Sequence, residues 1–78
     1  MKADQEKLTE TLISNVVNTQ QKWWNAPTQL TDYLNELFDS MFRFEIMATY
    51  EPDSNNIEVH YNDPITEQHK LLKFLWKN

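Results

Sequence analysis

The 78-residue chain contains neither cysteine nor glycine. Without cysteine it has no disulfide framework, no thiol nucleophile and no thiolate metal site. Because small secreted domains usually carry disulfides, this composition favours a cytoplasmic protein. Glycine supplies the positive φ angles and the close backbone approach that phosphate-binding loops and the nucleophile elbow need. Its absence therefore argues against most nucleotide-dependent and α/β-hydrolase chemistry.

Long apolar runs are missing as well. Charged residues begin at Lys2, so we expect no signal peptide. No stretch approaches the roughly 18 apolar residues that a membrane span needs. We expect a single domain over residues 1–78, located in the cytoplasm and not in a membrane. Its thin stability margin is partly offset by three Trp, three Tyr and four Phe, which bury large areas.

Positive charge is scarce in the middle of the chain. From Asp32 to Glu67 there are nine acidic residues and one basic residue, Arg43, and the net charge is −5. A nucleic-acid-binding protein would normally show a basic surface. The acidic segment fits a basic protein partner, or it is an ordinary solvated surface.

The first half of the chain has the apolar spacing of two helices. Residues 4–24 predict the first, which Asn25-Ala26-Pro27 ends because proline disfavours helical geometry in the residue before it. Residues 29–42 predict the second, with Thr28 as its N-cap. Its apolar positions form one continuous stripe: Leu30, Tyr33, Leu34, Leu37, Phe38, Met41 and Phe42.

The apolar period then changes to two, which predicts an antiparallel hairpin over residues 43–62. One face carries Phe44, Ile46, Ala48, Tyr50, Ile57, Val59 and Tyr61. Residues 51–56 have turn composition, with Asn55 and Asn56 as the candidates for left-handed geometry. We expect the loop to be longer than two residues.

The end of the chain, residues 64–77, predicts a third helix. Asp63 fits its N-cap and Pro64 its first turn. Lys70, Lys73 and Lys77 would lie along one side of it. The expected fold is α+β, in the order α-α-β-β-α, with the antiparallel hairpin packed against the helices and both of its edges open.

No residue pattern indicates catalysis, a cofactor or a metal ion. His60 and His69 are the only histidines, and they have no recognised ligand spacing. Carboxylates are plentiful, but a chain of this length leaves little room for a substrate cleft between an acid and a base. We therefore expect no enzyme activity, no cofactor and no bound metal.

The candidate partner-binding residues are aromatic or acidic. Trp23 and Trp24 point about 100° apart on a helix, so one can join the core while the other lies at the rim. An exposed tryptophan either covers the end of the second helix or anchors an interface. The acidic candidates are Asp32, Glu36, Asp39, Glu45 and Glu58.

Three functional hypotheses remain open. The first is a small regulatory domain, such as an inhibitor or adaptor, that docks on a basic protein surface. The second is a homo-oligomer that pairs through the first helix and its tryptophans. The third is a nucleic-acid-binding regulator that uses Lys70, Lys73 and Lys77, against which the acidic second helix argues.

Overall fold

The computed structural model describes residues 2–77, with side chains from Lys7 onward. The protein has an α+β fold in which two helices precede a three-stranded antiparallel sheet of order β1-β2-β3. The elements are α1 (Lys2–Gln20), a 3₁₀ turn (Gln21–Trp23), α2 (Pro27–Met41), β1 (Ile46–Glu51), β2 (Asn56–Asn62) and β3 (His69–Leu75).

The predicted third helix over residues 64–77 is wrong, because this segment forms β3. Apart from Lys73, residues 71–76 are all apolar, so the segment satisfies a helical and a strand period equally well. β2 has a second edge that is free to pair, and pairing with it favours the strand over the helix. β3 pairs with all of β2, from Asn56 opposite Leu75 to Asn62 opposite His69.

Asp63 does cap a helical turn, but only one turn forms. Asp63 Oδ1 accepts hydrogen bonds from the backbone N–H groups of Ile65 and Thr66, at 2.7 and 3.2 Å. Glu67 then adopts a φ of 61°, which ends the helical path. Asp63 donates its backbone N–H to the carbonyl of Gln68 at 2.9 Å, and the chain leaves as a strand.

The two predicted helices are present with shifted ends. α1 gives way to the 3₁₀ turn at Gln21, and α2 begins at Pro27 rather than 29. The N-cap position of α2 is Ala26, so Thr28 lies inside the helix and the capping prediction is wrong. Proline suits the first turn because the N–H it lacks would have no helical partner there.

The antiparallel hairpin is confirmed, with a turn over residues 52–55 and Asn55 in left-handed geometry at a φ of 57°. Asn56 is already part of β2. Both helices cover the inner face of the sheet, and its outer face is left uncovered. The fully buried apolar residues form one cluster: Ile13, Val17, Leu30, Leu34, Phe38, Ala48, Ile57, Val59 and Tyr61.

Candidate protein interface at the two sheet edges

The edge at β1 is partly closed by a side chain from α2. The hydrogen bond from Asn62 N–H to the Glu45 carbonyl fixes the alternation of the β1–β2 ladder. By that alternation, the backbone groups of Ala48 point away from β2. Asn35 meets both of them. Its Oδ1 accepts the Ala48 N–H at 2.7 Å and its Nδ2 donates to the Ala48 carbonyl at 3.0 Å.

Acidic side chains flank this closed edge. Asp32 and Asp39 lie three residues before and four residues after Asn35, which places all three on neighbouring positions of the helix surface. Glu36 continues the same exposed side. The three carboxylates are solvent-exposed, and none has an ion-pair partner among the described residues.

Glu45 joins this group across a surface groove. Asp39, Arg43 and Glu45 line the groove together with residues at the start of β1 and the end of β2. Glu45 Oε2 accepts a hydrogen bond from Asn62 Nδ2 at 2.9 Å, which holds the carboxylate at the rim. We call Asp32, Glu36, Asp39 and Glu45 the acidic flank.

Glu58 lies apart from the acidic flank. It is on the outer face of β2, with Thr49 of β1 and Lys73 of β3 as its cross-strand neighbours. Its carboxylate is 3.7 Å from Nε2 of His60. Its charge is therefore partly matched by its neighbours on the sheet.

The two histidines meet on the same outer face. His60 and His69 have ring centroids 5.8 Å apart, an arrangement that sequence analysis missed because it placed His69 on a helix. Asn62 Oδ1 lies 3.1 Å from Nδ1 of His69. Within the described part of the chain, no group of three histidine or carboxylate side chains is placed to hold a metal ion.

The opposite edge, at β3, is basic and open. The bond from Trp76 N–H to the Asn55 carbonyl sets the alternation of the β2–β3 ladder. The backbone groups of Leu71, Lys73 and Leu75 therefore point away from β2. Within residues 2–77, nothing hydrogen-bonds to them on that side. We call these backbone groups the open edge.

The open edge ends at a second capping side chain. Gln21 is buried and its Oε1 accepts the backbone N–H of Lys77 at 2.9 Å. Lys22 and Lys77 line one small pocket beside it, so positive charge continues past the end of the strand.

The three C-terminal lysines thus belong to a strand edge and not to a helix side. Lys73 lies on the outer face, while Lys70 is opposite Tyr61, whose side chain is in the core. A helix that could enter a nucleic-acid groove with all three lysines is not formed. This removes the geometric basis of the third hypothesis.

The two tryptophans take different positions. Trp24 packs against the core, with its ring centroid 5.2 Å from that of Tyr33. Trp23 is 70% exposed, and Nζ of Lys22 lies 5.3 Å from its ring centroid. Leu8 and Leu12, at 57% and 40% exposure, lie about one turn apart on α1.

No protein-family model matches the chain, and searches of curated proteins and of solved structures give no significant match. Among residues 2–77, no helix combines the length and the apolar character needed to cross a membrane. We therefore infer function from the geometry of the two sheet edges. Asn35 and Gln21, which cap them, carried no sequence signal because each bonds to a strand distant in the chain.

Proposed function

We propose that this chain is a small, non-enzymatic regulatory domain of the cytoplasm, an inhibitor or adaptor that docks on a basic surface of a partner protein through its acidic flank. The observation that carries the proposal is the exposed row of Asp32, Glu36 and Asp39 beside the closed β1 edge. None of these three carboxylates forms an ion pair within the described part of the chain. A basic partner would supply those cations.

The placement of the acidic flank suits fast, salt-sensitive association. Charged groups on one side of a small protein steer a complementary surface and raise the association rate. Such steering weakens once salt shortens the screening length, which is about 8 Å at physiological ionic strength. Asn35 occupies the outward backbone groups of Ala48 in the middle of β1, which disfavours strand pairing here and leaves docking to the side chains.

A charge-reversal pair tests the location of the surface. The triple variant Asp32→Lys, Glu36→Lys and Asp39→Lys removes the row, while Glu10→Lys, Asp53→Lys and Glu67→Lys reverses the same number of exposed carboxylates elsewhere. Proteins captured from a lysate of the source organism are compared at low and high salt. We expect a partner to be lost with the first variant and at high salt, but kept by the second.

The proposal fails if both variants capture the same partner equally well, or if captured partners are insensitive to salt. Recovery of the bait alone would also contradict it. Circular dichroism of both variants confirms that they fold. Because the two variants have the same net charge, any difference between them reports where the charge lies.

A homodimer through α1 is the second candidate, favoured by the exposed apolar side chains of Leu8 and Leu12 on α1 and of Trp23 in the turn that follows it. Exposed large apolar side chains can mark an interface. A twofold dimer would place the same side of two helices together. Light scattering of the parent and of Leu12→Glu, with Met47→Glu as a control at another exposed apolar position, tests it. A monomeric parent at high micromolar concentration would exclude this candidate.

A further inference from the structure

We propose that the open edge of β3 binds an extended acidic segment of a partner protein, which adds to the sheet as a fourth strand. The open edge and the acidic flank lie at opposite edges of the sheet. The two edges are separated by two strand spacings, about 10 Å. The proposal therefore goes beyond acidic docking and does not depend on it.

The backbone geometry of the open edge fits strand addition. A strand that pairs with an exposed edge gains its affinity from main-chain hydrogen bonds to the outward N–H and C=O groups. Leu71, Lys73 and Leu75 present three such N–H groups and three such carbonyls in register. The Asp63–Gln68 turn and the Gln21 cap bound this stretch, which is roughly 20 Å long for a strand of this length.

The charge of β3 selects an acidic occupant. Lys70, Lys73 and Lys77 lie along the segment, and the strand itself carries no carboxylate. Residues directly opposite on an added strand would have their Cβ atoms about 5 Å away, where opposite charges stabilise the pair. The nearest acidic cross-strand neighbour, Glu58, lies one strand inward and leaves the outer side of Lys73 unmatched.

The same charge argues against a second copy of this chain as the occupant. Antiparallel pairing of β3 with itself, centred on Lys73, would place the two Lys73 side chains directly opposite each other, and like charges at that distance are destabilising. Lysine on an edge strand is a common feature that opposes pairing between identical edges. The structure thus favours a partner of opposite charge.

The outer face also predicts a spacing for the partner. Along this face, Lys73 lies between the apolar residues Leu71 and Leu75. A complementary strand has an acidic residue opposite Lys73 with an apolar residue two positions away on each side. Leu71 and Leu75 are exposed and would each contact an apolar side chain of that strand.

Amide hydrogen exchange with a defined peptide tests the proposal. The probe is an acetylated nine-residue peptide with three glutamates spaced four apart, valines midway between them and threonines elsewhere. At millimolar peptide, we expect exchange at the amides of Leu71, Lys73 and Leu75 to slow by about tenfold or more. The control peptide has lysine in place of each glutamate, and we expect it to leave the exchange unchanged.

A backbone variant separates strand addition from simple charge attraction. Lys73→Pro removes an N–H that points away from β2, a position at which an edge strand tolerates proline. Because it also removes the charge, it is compared with Lys73→Thr, and we expect it to bind the glutamate peptide about tenfold more weakly than that variant, equivalent to about 1.4 kcal/mol. Lys73→Thr loses the charge but keeps the N–H, and we expect it to bind more weakly than the parent while preserving the protection pattern.

Several results would overturn the proposal. The glutamate peptide fails to protect the three outward amides, or it protects them no better than the lysine peptide does. Lys73→Pro, folded by circular dichroism, binds the glutamate peptide as tightly as Lys73→Thr does. The outward amides of the parent become protected as its own concentration rises, in which case the occupant is a second copy. The first and last readouts use the unmodified chain, so they do not depend on the variant folding.

Discussion

The two edges of the sheet have the same backbone chemistry but opposite surroundings. At β1, the Asn35 amide occupies both outward groups of Ala48, and acidic side chains of α2 stand beside it. At β3, the outward groups of Leu71, Lys73 and Leu75 face solvent among lysines. A side-chain amide has one donor and one acceptor in the same spacing as a peptide group, so it can replace a strand neighbour.

Protection of a sheet edge against strand pairing is therefore local and selective in this fold. An exposed edge is a template for pairing, and proteins usually block it with charge, proline or a covering element. Here the middle of one edge is closed by a hydrogen-bonded side chain at Ala48, whereas the other edge is guarded mainly by positive charge. Charge repels an identical edge but attracts an acidic one, so the second edge remains available to a suitable partner.

Among the variants that test the difference between the two edges, removal of the Asn35 amide should have the largest effect on stability. Asn35→Ala leaves the part-buried N–H and carbonyl of Ala48 without partners, and each such loss costs about 1–3 kcal/mol. We expect the free energy of unfolding, measured in urea, to fall by about 2 kcal/mol or more. Asn35→Asp keeps the acceptor and loses the donor, so it should fall between the parent and the alanine variant. An unchanged midpoint for Asn35→Ala would contradict the capping role.

The second-largest effect on stability should come from the turn over residues 63–68, which precedes β3. Asp63→Ala removes an acceptor from the N–H groups of Ile65 and Thr66 in a buried position, and we expect a loss of about 1–2 kcal/mol. Asp63→Asn retains a side-chain oxygen and should recover most of that loss. Urea unfolding of the three proteins gives the comparison. Equal stability of the alanine variant and the parent would show that β3 forms without this turn.

The smallest effect should come from the charge pair on the outer face. Lys73→Glu places two carboxylates opposite each other, with Glu58 on β2, and should destabilise the sheet by about 0.5 kcal/mol. Exchanging both charges, with Glu58→Lys added, should restore stability because the opposite pairing returns. A double-mutant cycle measures this coupling. A coupling energy of zero in this cycle would mean that the two side chains do not interact.

Local sequence patterns predicted the parts of the fold that depend on short-range periodicity. The α2 stripe built on Leu30, Leu34 and Phe38 and the alternation through Ala48 and Val59 were correct, because each pattern fits only one kind of element. The segment after Asp63 fits both periods. Its state is decided by the unpaired edge of β2, which is a tertiary feature that no local pattern contains.

The candidate site was predictable to a similar extent. The exposed row of Asp32, Glu36 and Asp39 follows directly from helical spacing. Glu58 lies apart from that row on the outer face of β2, a separation that depends on how the sheet packs against α2. The contacts that define the edges join Asn35 to Ala48 and Gln21 to Lys77, and they exist only once the helices and strands have packed.

Hydrogen exchange of the free protein tests the central claim, the difference between the two edges, most directly. The Ala48 amide has an Asn35 acceptor, whereas the amides of Leu71, Lys73 and Leu75 have none on their outward side. We expect slow exchange at Ala48 and fast exchange at the other three amides, with the protection of Ala48 lost in Asn35→Ala. Equal protection at both edges, or an Ala48 amide that exchanges as fast as that of Lys73, would contradict it.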